Sequence, residues 1–132
     1  MNAPVATTAY AVSSVGDLVV AIPADQVGSI DEVPAGASDL LDVAALLGQP
    51  SRAQRRRAAR LAGRASLTLL VGARVDLVSV EAPEHLELPL LLAEHYRGLG
   101  VSGLLALTSG VACVLDPGLL ARARRGPRSA GG

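Results

Sequence analysis

Two apolar runs, VSGLLAL and VACVL, flank the turn-forming TSG in the stretch 101–115, and the same arrangement recurs along the chain. Short β-prone stretches follow one another at regular spacing, each stopped by Gly, Pro, Asp or Ser before a long helix can grow. TAYAVSSV and LVVAIP flank Gly16-Asp17, a pair suited to a tight hairpin turn. GSIDEVP reads as a third strand stopped by Pro34. SLTLLVG and RVDLVSVEAP, joined at Gly72-Ala73, read as another hairpin. Helix is expected only in pieces. ADQV makes one turn, and DLLDVAALLG makes a short helix capped by Asp42 and ended at Gly48. DPGLLARARR starts another, with Asp116 as cap and Pro117 at the first helical position. Prolines in PEHLELPLLLAEHYRGLG stop any long helix there. This punctuation points to a mainly β fold of small barrels with short helices.

The core of such a fold has to be aliphatic, since the sequence holds no Phe, no Trp and only Tyr10 and Tyr96. With 132 residues, half of them hydrophobic and 18% charged, the chain can bury a core as one domain or two small subdomains. Cys113 stands alone, which excludes an intramolecular disulfide and fits a reducing compartment. Its neighbours Val111, Ala112, Val114 and Leu115 mark it as a small core residue. The start MNAPVATTAY lacks a basic segment followed by an apolar one, and no apolar run reaches the ~18 residues that span a bilayer. A cytoplasmic location is the expectation.

Charge is balanced but segregated. All twelve basic residues are arginines, a bias that high-GC coding explains, and the net charge is zero. Acids without bases precede Arg52; six arginines without an acid fill Arg52 to Arg64. The segment is helix-permissive, with Arg52, Arg56 and Arg60 four apart on one face and a thin apolar stripe of Ala58, Ala59 and Leu61. Arg52, Arg56, Arg57 and Arg60 are the candidate partner-facing residues. Such a run can neutralise phosphates, yet a neutral chain without Phe or Trp is poorly equipped to hold polyanions or stack bases. A polar connection or partner-facing helix is therefore preferred, and a small nucleic-acid-binding regulator is the competing reading.

Catalytic patterns do not emerge. The serines of TSG and VSG complete no G-x-S-x-G elbow, and their hairpin setting is that of turn residues. No phosphate-binding loop, dinucleotide fingerprint or helical H-E-x-x-H is present. Glu84-His85 and Glu94-His95 are the best metal candidates, but their spacing matches no recognised ligand pattern. No catalytic, cofactor-binding or metal site is assigned.

Read in order, the motifs resemble the CheW family, the small adaptors of bacterial chemotaxis arrays. Ala21-Ile22-Pro23 matches the family's a-I-P element, and Val27, Ile30 and Val33 its V-x-x-I/V strand. Leu41, Asp42, Val43, Leu46, Leu47 and Gly48 match v-v-D-L-x-x-x-L-G. Gly72 to Val80 resembles a later hairpin, and Val101 and Gly103 a late i-x-G strand. Leu115, Asp116, Pro117, Leu119 and Leu120 match the closing l-L-D-p-x-x-L-L. The likeness runs from Ala9 to Leu120. One departure is large: between Val33 and Leu41 the family carries a long insert ending in G-x-x-N-x-R-G-x-x-x-P, where this chain has only PAGASDL.

The resemblance implies two small SH3-like barrels side by side, the first one incomplete, with an exposed edge that loop, helix or partner must cover. It divides the chain into a flexible start (1–8), a domain over 9–120 and a helix end with a disordered tail (121–132). The domain splits into a first half (9–48), an arginine-rich connection (49–65) and a second half (66–120). It further implies a non-enzymatic cytoplasmic adaptor, recruited to receptor clusters without inserting into the membrane. Such an adaptor links the tip of a methyl-accepting chemoreceptor to the regulatory domain of a CheA-type histidine kinase. The receptor would sit in an apolar groove, a helix-in-groove mode. Val27, Ser29, Ile30 and Val33 hold the positions of the receptor-contacting strand, Ser29 standing where many relatives carry an acid. Without the N-x-R-G region, receptor binding is expected to persist and kinase coupling to weaken. Asp42 and Asp116 are expected to act as helix caps.

Overall fold

The computed structural model describes residues 7–33, 40–50, 56–62, 67–81, 85–86, 89–108 and 110–125. The start of the chain to residue 6, Glu84, residues 51–55 and 63–65 of the arginine-rich connection, with Arg52 among them, and the expected disordered tail beyond Arg125 lie outside the described residues.

Strands β1 (Thr7–Val15) and β2 (Leu18–Pro23) form the expected hairpin, with Tyr10 opposite Pro23 and Val15 opposite Leu18. Thr7 and Thr8, expected to be flexible, already belong to β1 and pair with Glu81 and Val80. Gly16 turns the hairpin at φ +62°, which glycine adopts without steric cost. A 3-10 turn (Ala24–Gln26) leads into β3 (Val27–Glu32). β4 (Leu41–Asp42) runs directly into α1 (Val43–Leu46), and β5 (Arg57–Leu61) and β6 (Thr68–Leu70) follow. Then come β7 (Val75–Glu81), β8 (His85–Leu86), α2 (Leu90–Gly98), the paired strands β9 (Val101–Leu107) and β10 (Gly110–Leu115), and α3 (Pro117–Arg125). The chain is mainly β with short helices.

Two sheets result, in the orders β7-β1-β2-β10-β9-β8 and β3-β5-β6-β4. Neighbours are antiparallel except β2 with β10 and β4 with β6. The run LVVAIP explains why β2 lies inside the larger sheet: an uninterrupted apolar strand is stable only when both faces are covered. Val20 and Ile22 enter a large core with Val15, Val101 and Leu115 of the same sheet and Ala59, Leu61 and Leu69 of the smaller one. Ala21, on the opposite face, joins a second cluster of Tyr10, Leu105, Ala112 and Val114. β9 supplies both cores. Its register shifts against β10, Val114 facing Gly103 and Leu115 facing Val101, so one added residue lets Val101 point into one core and Leu105 into the other.

Two expectations about local structure are overturned. β6 and β7 are not a hairpin; they lie in different sheets. The chain between them crosses β1 instead of turning back. The Gly72 amide donates to Ser13 Oγ at 3.0 Å, and that hydroxyl donates to the Arg74 carbonyl at 2.9 Å. A β-carbon at Gly72 would fall 2.0 Å from the Ser14 carbonyl oxygen, so only glycine permits the crossing. The end of the arginine segment is not helical either. Residues 57–61 form β5, lying between β3 and β6. A helix would have had only a thin apolar stripe to bury; a central strand pairs its backbone on both sides and still buries Ala59 and Leu61. The strand beside β3 thus comes from the arginine segment itself.

The capping expectations hold. Asp42 Oδ1 accepts from the Ala44 amide at 3.0 Å, Gly48 has φ +69° just past α1, and Asp116 Oδ1 accepts from the Leu119 amide at 3.0 Å. No helix among the described residues is long and apolar enough to cross a membrane.

Candidate partner-binding surface on the small sheet

Among the described residues β3 lies at the edge of its sheet and pairs only with β5, which carries Arg57 and Arg60. Antiparallel pairing sets Ser29 opposite Arg60, Ile30 opposite Ala59, Asp31 opposite Ala58 and Glu32 opposite Arg57. Directly opposed residues share a face, so the register sorts the surface. Val27, opposite Leu61, points to the core and packs against it half-buried. A register shift between Val27 and Ser29 brings Ile30 to the same side as Val27 despite the odd spacing. Ile30 nevertheless lies at the rim, 37% exposed, and Val33 just beyond the strand is 36% exposed. Ser29 is half-buried on the other face, beside the exposed Arg60. The structure therefore joins the two groups that the sequence suggested separately: the apolar strand residues and two of the arginines form one antiparallel pair.

Arg56 is not part of that surface. Its side chain is 11% exposed and turned inward, clamped to Asp42 by NH2 to Oδ1 at 2.5 Å and NH1 to Oδ2 at 3.1 Å. Its Nε also donates to the Val71 carbonyl at 3.0 Å. The guanidinium so ties the end of β4 to the chain leaving β6. The same carboxylate accepts from the first amides of α1, and the Arg56 hydrogen bonds hold Asp42 below the usual carboxylate range, with partial burial working against the shift. Of the four candidate arginines, Arg57 and Arg60 remain exposed, on opposite faces of β5, and Arg52 lies outside the described residues. A continuous basic ridge does not form from 56, 57 and 60.

Nucleophile chemistry finds little support elsewhere. Cys113 is half-buried between β2 and β9, and burial pushes its thiol above the ordinary value, which disfavours the reactive thiolate. Glu94 and His95 are exposed on α2, and among the described residues no three His, Cys, Asp or Glu side chains gather as a metal site.

The arrangement of strands is that of a known scaffold. The chain superposes on the scaffolding protein TtCheW from Thermoanaerobacter tengcongensis with a TM-score of 0.63, covering 84% of this chain and 90% of that one at 12% sequence identity. The fold is CheW-like. No protein-family model matches the chain, and no curated protein matches it by sequence. Sequence reasoning missed the Arg56–Asp42 clamp because nothing local signals it: the two residues meet only once β4 and β5 are placed around β6.

Proposed function

We propose that this chain is a non-enzymatic adaptor of a bacterial chemosensory two-component system, working on the cytoplasmic side at receptor clusters. It contacts the tip of a methyl-accepting chemoreceptor through β3 and couples only weakly to the regulatory domain of a CheA-type histidine kinase. The observation that carries this reading is the CheW-like fold over 84% of the chain, its neighbour being a scaffolding protein. The ordered motifs from Ala21 to Leu120 support it independently of the coordinates. Ile30 and Val33 support the choice of surface, since they are aliphatic and still a third exposed at a sheet edge. Weak kinase coupling follows from the short PAGASDL connection in place of the family's N-x-R-G insert. The split orientation of Arg56, Arg57 and Arg60 counsels against the nucleic-acid reading, which needs the cations on one face.

The test is a two-way pull-down at about 150 mM salt, where exposed charge pairs are largely screened. The protein is offered a receptor signalling tip and a kinase regulatory domain separately, alongside an Ile30→Lys variant. Capture of the receptor tip by the parent and not by the variant is the expected result. Capture of the kinase domain alone overturns the assignment of β3, and capture of neither, with salt-sensitive retention of DNA or RNA, transfers the function to the arginines.

A further inference from the structure

The face of the six-stranded sheet opposite the large core is concave and encloses a groove of about 760 Å³. Val19, Val78, Val80 and Leu107 make it apolar, and three of them, Val19, Val80 and Leu107, rest on the Tyr10–Leu105 cluster below. The rim is acidic. Among the described residues that line it, Asp17, Asp76 and Glu81 stand against the single base Arg74, whose Nε already lies 3.0 Å from Asp76 Oδ1.

One wall of this groove is β7, and β7 is an edge: among the described residues it pairs only with β1, over seven consecutive positions without a register shift. Strand edges are ordinarily protected by proline, bulges or charged side chains; β7 (VDLVSVE) has no proline and no bulge, and its only charges, Asp76 and Glu81, are acids near its two ends. Its other face presents Leu77, 73% exposed. An open backbone ladder, an apolar groove on one side of it, a bare leucine on the other and a net acidic rim together describe a complementary occupant.

We propose that the β7 edge and the groove accept an extended segment of a partner protein, apolar at alternate positions and basic near its ends. Added as a strand beside β7, such a segment places every second side chain over Val78 and Val80 and the intervening ones against Leu77. Its basic ends meet Asp76 and Asp17 at one end of the groove and Glu81 at the other. A second copy of β7 is the poorer occupant, because it brings its own Asp76 and Glu81 to a rim already short of cations. This surface lies on the other sheet from β3, so it does not depend on the adaptor reading.

The experiment uses fluorescence polarisation with two labelled probes, the heptapeptide Lys-Val-Thr-Val-Thr-Val-Lys and its counterpart ended by Glu, titrated with the full chain at low salt. The Lys-ended probe is expected to bind at least about tenfold more tightly than the Glu-ended one. The Asp76→Lys, Glu81→Lys double variant should invert that order, and Ile30→Lys should leave it unchanged. Should the double variant fold poorly by circular dichroism, Glu81→Lys alone, at the strand end and outside the Arg74 pair, must still narrow the preference. Equal affinity for both probes, binding indifferent to the reversal, or no binding by the folded protein overturns the proposal. So does a concentration-dependent dimer that excludes the probe, which would assign the edge to a second copy.

Discussion

Arg56 and Asp42 concentrate several functions on two side chains. The carboxylate caps α1 and holds the guanidinium, which in turn satisfies the carbonyl of Val71. A lost cap alone costs about 1 kcal/mol; Asp42→Ala should cost roughly 2–3 kcal/mol, because it also takes the carboxylate away from a guanidinium that is mostly shielded from water. Arg56→Met should cost about 2 kcal/mol, and the double variant less than the sum, as urea denaturation of the four proteins will show. The pH dependence has a definite sign. Asp42 sits below its ordinary value in the fold, so the unfolded chain takes up that proton first as pH falls. Its contribution is complete above the unfolded value of about 4 and disappears as pH drops through the folded one. Urea midpoints from pH 6 down to 2 should decline more steeply for the parent than for Arg56→Met. Gly72 offers a second single-residue test. Gly72→Ala pushes a methyl into the Ser14 carbonyl and should cost about 3 kcal/mol or more, seen as a lowered melting temperature.

Hairpins were the legible elements. β1–β2 and β9–β10 follow from apolar runs around turn residues, and the caps at Asp42 and Asp116 from local chemistry that needs no tertiary context. What stayed hidden depends on partners far along the chain. RAARL is neutral between helix and strand until β3 and β6 flank it, and Gly72-Ala73 looks like a turn until β1 is seen lying across it. The candidate surface was half legible for the same reason. Val27, Ser29, Ile30 and Val33 could be singled out as a strand, but their adjacency to Arg57 and Arg60 is a property of the β3–β5 register. That register makes its own prediction. Ser29→Asp places a carboxylate opposite Arg60 and should stabilise the protein by about 0.5 kcal/mol, an increment that high salt removes in the same denaturation assay.

On the scale of the molecule, β2 and β10 weld the two cores together, each giving alternate residues to either side. The two tyrosines report on them separately: Tyr10 belongs to the smaller cluster, and Tyr96 packs against the larger. Tyrosine fluorescence and far-ultraviolet circular dichroism of the parent chain should give the same urea midpoint within error, since neither core keeps both its walls without β2. Separate midpoints would show two independent units. The parallel pairing of Val20 with Cys113 and of Ala21 with Val114 carries a consequence for biosynthesis. While the chain is being translated, the apolar strand LVVAIP leaves the ribosome long before the partner that covers its far edge exists. The hairpin must therefore wait, unsealed, until residues 110–115 have emerged as well. A nascent chain stalled short of β10 leaves that edge of an apolar strand uncovered.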